Sequence, residues 1–128
     1  MKQNIFYLLL LTTLLLNGSC KDDATVQDQL NIDPVKVAPA IFKILLENKH
    51  VRVVEYSLKP GEKDVWHTHP PKSSYVVSGG KLKVNLENGE VIIADEIAGT
   101  ASWMDYVGKH YVENISNTTV TIVFTELK

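Results

Sequence analysis

The sequence predicts a single all-β domain, an antiparallel sandwich or barrel, behind an N-terminal segment that is not part of the fold. Short runs rich in β-branched residues recur after residue 50, turn residues separate them, and almost no helical periodicity is visible. The chain has 128 residues, 45% of them hydrophobic and 22% charged. These values suit one globular domain with one hydrophobic core.

Residues 1–19 are predicted to be a signal peptide. Lys2 precedes the apolar run from Ile5 to Leu16, which is too short to cross a bilayer as a permanent helix. Cys20, the only cysteine, follows two small residues, where a bacterial lipoprotein signal places its acylated cysteine. A chance thiol near an ordinary cleavage site is the alternative. We expect a cell-envelope lipoprotein, facing the periplasm or the cell surface, that contacts the membrane only through the lipid on Cys20.

Residues 20–33 are polar and lack periodicity, so they are predicted to form a flexible tether to a folded domain at 34–128. Pro34 and Pro39 are expected to bracket an extended stretch. The formal net charge is −2, and no basic patch is visible, so nucleic acid is not an expected partner. With one cysteine, no intramolecular disulfide can form.

The segment from Ile41 to Glu47 fits either a strand or one helical turn. Asn88-Gly89 predicts a type I′ hairpin, and Gly108 predicts a turn. The remaining apolar runs are predicted strands, namely Val51 to Leu58, Ser74 to Ser78, Lys81 to Leu86, Val91 to Ala94, Trp103 to Val107, His110 to Ile115 and Thr118 to Leu127.

His67 and His69 form the first chemical signal. In an extended segment, residues i and i+2 point to the same side, so two imidazoles can reach one ion at ~2.0–2.1 Å without distortion. A His-x-His pair by itself is also found among hydrogen-bonded core histidines. The surroundings of the pair therefore decide how it is interpreted.

Those surroundings resemble the two sequence motifs of the cupin superfamily. The matching features are Gly61, the His67-x-His69 pair, Gly79-Gly80, and His110 followed by Asn114. The resemblance runs from about Ile41 to Leu127 and is closest to small single-domain bacterial cupins, which are often labelled quercetinase-like. It implies an antiparallel jelly-roll β-barrel with His67, His69 and His110 as metal ligands near its mouth.

The chain departs from the cupin motifs at two places. The glutamate that usually follows the second histidine is missing, and Ser74 stands at or near its position. Asp105 replaces the usual proline of the second motif. The loss of a carboxylate raises the charge of the site by one unit and weakens its hold on a metal. Three neutral imidazoles suit one divalent transition ion, Fe, Zn, Cu or Ni, better than Mg²⁺ or Ca²⁺. A metal-free pocket remains the alternative.

Four further residues are candidates for the pocket: Ser74, Tyr75, Trp103 and Asp105. Tyr75 could project into the barrel as a hydrogen-bond donor, Trp103 could wall the pocket near the metal, and Asp105 could reach a metal or substrate from the mouth. Glu62 and Asp64 are expected to be exposed.

Two functions from different classes follow. The first is a metal-dependent enzyme with dioxygenase-like activity on a small organic molecule, in which three histidines leave coordination positions open. The second is a lipid-anchored module that binds a sugar-like or other small ligand, with the metal structural or absent. A homodimer formed through strand edges is compatible with either function.

Overall fold

The computed structural model describes residues 31–128. The predicted signal peptide at 1–19, Cys20 and all but the last residues of the tether lie outside the described residues. Within residues 31–128, no helix has the length and apolar character needed to cross a membrane.

The described chain consists of one short helix followed by nine strands. Helix α1 is Pro34–Val37. The strands are β1 Phe42–Glu47, β2 Val51–Leu58, β3 His67–His69, β4 Lys72–Ser78, β5 Gly80–Leu86, β6 Val91–Glu96, β7 Ala101–Met104, β8 Val107–Asn114 and β9 Val120–Leu127.

The strands form two sheets that enclose the core. One sheet has the order β1-β2-β9-β4-β7, and the other has the order β3-β8-β5-β6. Every neighbouring pair is antiparallel. The predicted all-β antiparallel fold class is confirmed. The alternating burial of β2 and β9 shows how apolar residues at every second position face the core.

The start of the domain differs from the expected extended stretch. Asp33 caps α1 by accepting a hydrogen bond from the Val35 amide, and Pro34 occupies the first turn, where its missing N–H costs nothing. The backbone of Ile32 exchanges hydrogen bonds with Thr68, at 2.9 Å in each direction. Contacts with the barrel therefore begin inside the segment predicted as tether.

Two turn predictions were also wrong. A type I′ turn needs a positive φ at both central residues, but among the described residues only glycines have positive φ, and Gly89 is one of them at 86°. Its amide donates to the Leu86 carbonyl, so the left-handed residue closes the turn rather than beginning it. Gly108 lies inside β8 because β8 begins at Val107 and pairs with β3. The segment from Ile41 to Glu47 is mainly strand β1.

Candidate metal centre and its cavity

Two adjacent strands bring the three predicted histidines together. His67 and His69 lie on β3, and His110 lies on β8, directly opposite His67 in the antiparallel register. Their side chains are buried, with exposed fractions of 1%, 2% and 5%. The ring centroids of His67 and His110 are 4.3 Å apart, and those of His67 and His69 are 4.8 Å apart.

Each of these histidines is held through its Nδ1 atom. His67 Nδ1 donates to the Val65 carbonyl at 2.7 Å, and His110 Nδ1 donates to the Gly108 carbonyl at 2.7 Å. His69 Nδ1 lies 2.9 Å from Glu126 Oε1. Metal-ligating histidines use the same pattern, in which the second ring nitrogen donates to a carbonyl or carboxylate. All three Nε2 atoms are thereby left as lone-pair donors.

The separation of the ring nitrogens fits one shared ion. His67 Nε2 and His69 Nε2 are 3.1 Å apart, and one ligand atom from each of the three histidines lies within 4.8 Å of the others. Two nitrogens bound to one ion at ~2.1 Å are about 3.0–3.4 Å apart for angles between right-angled and tetrahedral. Two lone pairs this close repel unless an electrophile lies between them. The donor set therefore fits a divalent transition metal.

Burial keeps the three imidazoles in their neutral, ligating form. Desolvation lowers the pKa of His67 to about 3, with a smaller contribution from His110. Desolvation is also the largest cause that lowers the pKa of His69 and of His110. A neutral imidazole binds a metal without first losing a proton.

Glu126 is a residue of this centre that the sequence did not single out. Its side chain is 1% exposed and bonds to His69 through one oxygen, while the other accepts from Arg52 Nε at 2.7 Å. Arg52 also reaches Asp33 at 3.0 Å. A chain of charges therefore runs from the start of the domain to His69. Strand alternation places Glu126 on the inner face with Phe124, and this signal could have revealed it.

The histidines lie at one wall of a cavity of ≈ 250 Å³ between the two sheets. Leu82, Val84 and Ile92 contribute to an apolar side of this cavity. Ser74, one of the predicted pocket residues, also lines it and shares a 2.7 Å hydrogen bond with Ser102.

Lys72 is the second residue of the cavity that the sequence did not single out. It is 4% exposed, and its Nζ lies 3.5 Å from the centroid of the Phe124 ring. Burial lowers its pKa to about 7, although the negative charges of Glu126, Glu96 and Asp64 act to raise it. Removing an ammonium from water costs several kcal/mol, whereas a desolvated cation–π contact contributes about 2 kcal/mol. The ring alone does not offset the burial.

Asp64 is buried, which corrects the expectation that it is exposed. Its carboxylate accepts from the Val112 amide at 2.6 Å and from the Tyr56 hydroxyl at 3.2 Å. Burial raises its pKa to about 7, although both hydrogen bonds act in the opposite direction. Asp64 lies 3.9 Å from His67 Nδ1 and supports the wall of the cavity.

Three predicted pocket residues do not line the cavity. Tyr75 is 50% exposed, because alternation along β4 turns Ser74 inward and Tyr75 outward. Trp103 is 54% exposed and faces outward from β7. Asp105 accepts a hydrogen bond from Trp103 Nε1 at 3.1 Å on the exposed surface. The placement of these three residues in the pocket was wrong.

Comparison with solved structures identifies the class of fold. A cupin domain from Bordetella pertussis is 25% identical, with a TM-score of 0.64, over 69% of this chain and 92% of that one. A Klebsiella pneumoniae protein with a double-stranded β-helix domain is 24% identical, with a TM-score of 0.56, over 68% and 75% of the two chains. The polyketide cyclase RemF from Streptomyces resistomycificus is 15% identical, with a TM-score of 0.51, over 67% and 63%.

The chain therefore has the cupin fold, a jelly-roll barrel of two antiparallel sheets. Within that fold it carries three buried histidines close enough to bind one metal ion. No protein-family model and no curated protein matches the sequence.

Proposed function

We propose that this protein is a metal-dependent cupin that acts on a small organic molecule. His67, His69 and His110 would hold one divalent ion, Fe, Zn, Cu or Ni. The observation that carries the proposal is that one ring nitrogen from each of the three buried histidines lies within 4.8 Å of the others, while the Nδ1 atom of each ring is hydrogen-bonded. Histidines held in this way are typical of metal centres, and a barrel core does not need them in order to fold.

A dioxygenase-like reaction is the proposed activity. A bound ion such as Fe²⁺ would supply Lewis acidity and one-electron redox chemistry at the cavity wall. The residues of the chain orient the ligands, exclude water and present apolar walls to an organic molecule. The existence of a polyketide cyclase with the same fold supports catalysis on small organic molecules within such a barrel.

The first experiment is elemental analysis of a soluble form, residues 21–128, purified without chelator. We expect near-stoichiometric metal in the parent and none in the His67→Ala, His69→Ala double variant. Replacement of the exposed His50 by Ala should leave the metal content unchanged. A parent that stays empty after dialysis against iron, zinc, copper and nickel would remove the metal-dependent function. Oxygen uptake with catechols, flavonols, diketones and thiols then tests the activity of the loaded protein.

A second function, a ligand-binding barrel anchored by lipid on Cys20, is favoured by the missing glutamate and the largely apolar cavity. In that case the metal is structural or absent. The double histidine variant would then keep its ligand. Loss of ligand together with metal would favour the enzyme.

The cell-envelope location is part of the proposal and is supported by the pattern around Cys20. Metabolic labelling with a palmitate analogue, compared between the parent and Cys20→Ala, tests it.

A homodimer is supported by the edge strand β1, on which Ile44, Leu45 and Leu46 are 39%, 48% and 50% exposed. Light scattering of the parent and of a Leu45→Lys variant tests the dimer.

A further inference from the structure

Lys72 has no anionic partner within the described part of the chain. No carboxylate oxygen of residues 31–128 lies within 4.0 Å of its Nζ, although it is buried on the inner face of β4. The ammonium also donates no hydrogen bond to any residue in this part of the chain. Its Nζ lies 3.5 Å from the centroid of the Phe124 ring.

The ammonium must therefore reach the cavity. Every fully enclosed side-chain nitrogen or oxygen in residues 31–128 has a hydrogen-bond partner. An ammonium without one is consequently not fully enclosed, and the open space beside it is the cavity that Lys72 lines. Buried cations that face a cleft without a structural partner are typical of functional sites.

The charges around the cavity favour a negative ligand. The three histidines are neutral, and a divalent ion on them would add positive charge. Asp64 is already occupied by the Tyr56 hydroxyl and the Val112 amide. Glu96 lines the cavity from the opposite sheet and is half-buried, so among residues 31–128 it is the other carboxylate that a ligand in the cavity would meet.

We infer that the cavity binds a small organic anion, an apolar carboxylate or enolate, whose charged end faces the ammonium of Lys72 and whose body lies against the apolar wall. The inference rests on the proposed function in that it concerns the same cavity and names its substrate class. The cavity of ≈ 250 Å³ lies at the small end of ligand pockets, so it suits a molecule of about one aromatic ring. The negative charge of Glu96 would disfavour an orientation in which the charged end of the ligand lay next to this carboxylate.

Benzoate and its neutral counterpart benzamide are the probes for this site. The full chain is purified in mild detergent, stripped of metal with chelator, and titrated with each probe at pH 6, where Lys72 and benzoate are both charged, by calorimetry and ligand-observed NMR. We expect benzoate to bind at least tenfold more tightly than benzamide. Equal affinity for the two probes, or no binding of benzoate, would overturn the inference.

Lys72→Met removes the ammonium and keeps an unbranched side chain one atom shorter, so benzoate affinity should fall at least tenfold. Lys81→Met is the matched control, because Lys81 is half-exposed and pairs with Asp95 outside the cavity. An equal loss of benzoate affinity in both variants would show a general effect of charge and would contradict the inference. If Lys72→Met does not fold, Lys72→Gln replaces it.

Glu96→Gln tests the orientation of the bound anion. Removal of this carboxylate should leave benzoate affinity the same or higher, and a lower affinity would contradict the proposed orientation. Metal content of the same samples before stripping is measured separately. A protein that stays empty after dialysis against iron, zinc, copper and nickel but binds benzoate through Lys72 would refute the metal-dependent function and keep this inference. A protein that binds metal but does not distinguish benzoate from benzamide would refute this inference and keep the metal-dependent function.

Discussion

His69 and Glu126, 57 residues apart in sequence, are joined by a 2.9 Å contact between Nδ1 and Oε1 in the interior of the barrel. The same carboxylate is held by Arg52. A carboxylate behind a ligating imidazole fixes the ring and raises its basicity. In the proposed metal centre, which lacks the usual glutamate ligand, Glu126 would supply a carboxylate that acts through His69 rather than by binding the ion.

Glu126→Gln should weaken metal binding about 10- to 100-fold, since the amide keeps the shape but loses the charge. Competition against a chromophoric chelator measures the affinity for Zn²⁺. Glu113→Gln is the matched control, because Glu113 pairs with Lys63 away from the histidines. Equal affinities in the parent and Glu126→Gln proteins would show that Glu126 does not tune the centre.

Asn114 should be a major determinant of stability. It is fully buried, and its amide donates to the carbonyls of Leu58 and Thr118, both at 2.8 Å, while its oxygen accepts from Ser116. Asn114→Ala leaves these groups without partners and should lower the free energy of unfolding by about 2–4 kcal/mol. Urea denaturation measures the change. The exposed Asn117, replaced by Ala, should change it by less than about 0.5 kcal/mol.

Gly79 is required for close packing rather than for a left-handed backbone. A Cβ at this position would collide with the backbone oxygen of Glu96 and approach the Ala98 amide at 3.0 Å. Gly79→Ala should therefore cost about 1–3 kcal/mol of stability, because the backbone has to shift. Gly108→Ala meets no atom within 4 Å and should be nearly neutral. Thermal denaturation of the two variants side by side tests this, and similar losses would contradict it.

Lys72→Met should stabilise the metal-free protein by about 1–4 kcal/mol near pH 6, because a buried charge is replaced by a well-packed apolar chain. The difference should depend on pH. The pKa of Lys72 is lowered from 10.5 to about 7 in the folded state, so between these values the unfolded chain binds more protons. The parent therefore gains stability relative to the variant as the pH rises from 7 to 10.5.

Urea denaturation of both proteins from pH 6 to pH 10 checks this prediction. The stability difference should be largest below pH 7 and should narrow above it. Lys81→Met, which removes a surface ion pair, should show no comparable trend. A difference that stays constant across this range would mean that Lys72 is not desolvated in solution.

Local patterns were sufficient for most strands. The run from Val51 to Leu58 was predicted with the bounds of β2, because β-branched residues and a Pro-Gly stop are local signals. The same period of two placed His67 and His69 on one side of a strand. It would also have placed Lys72 beside Ser74, and Glu126 beside Phe124, on inner faces. These two charged residues were missed because charge ordinarily indicates an exposed position.

The sequence by itself determined the all-β antiparallel fold class, because short apolar runs recur between turn residues, and it placed two histidines on one face, because side chains alternate along a single extended segment. Only the tertiary structure decided that His110 lies opposite His67 and that Glu126 stands behind His69. It also decided that the ammonium of Lys72 faces the cavity. These relationships depend on the register between strands distant in sequence, and that register is decided by the packing of the whole core.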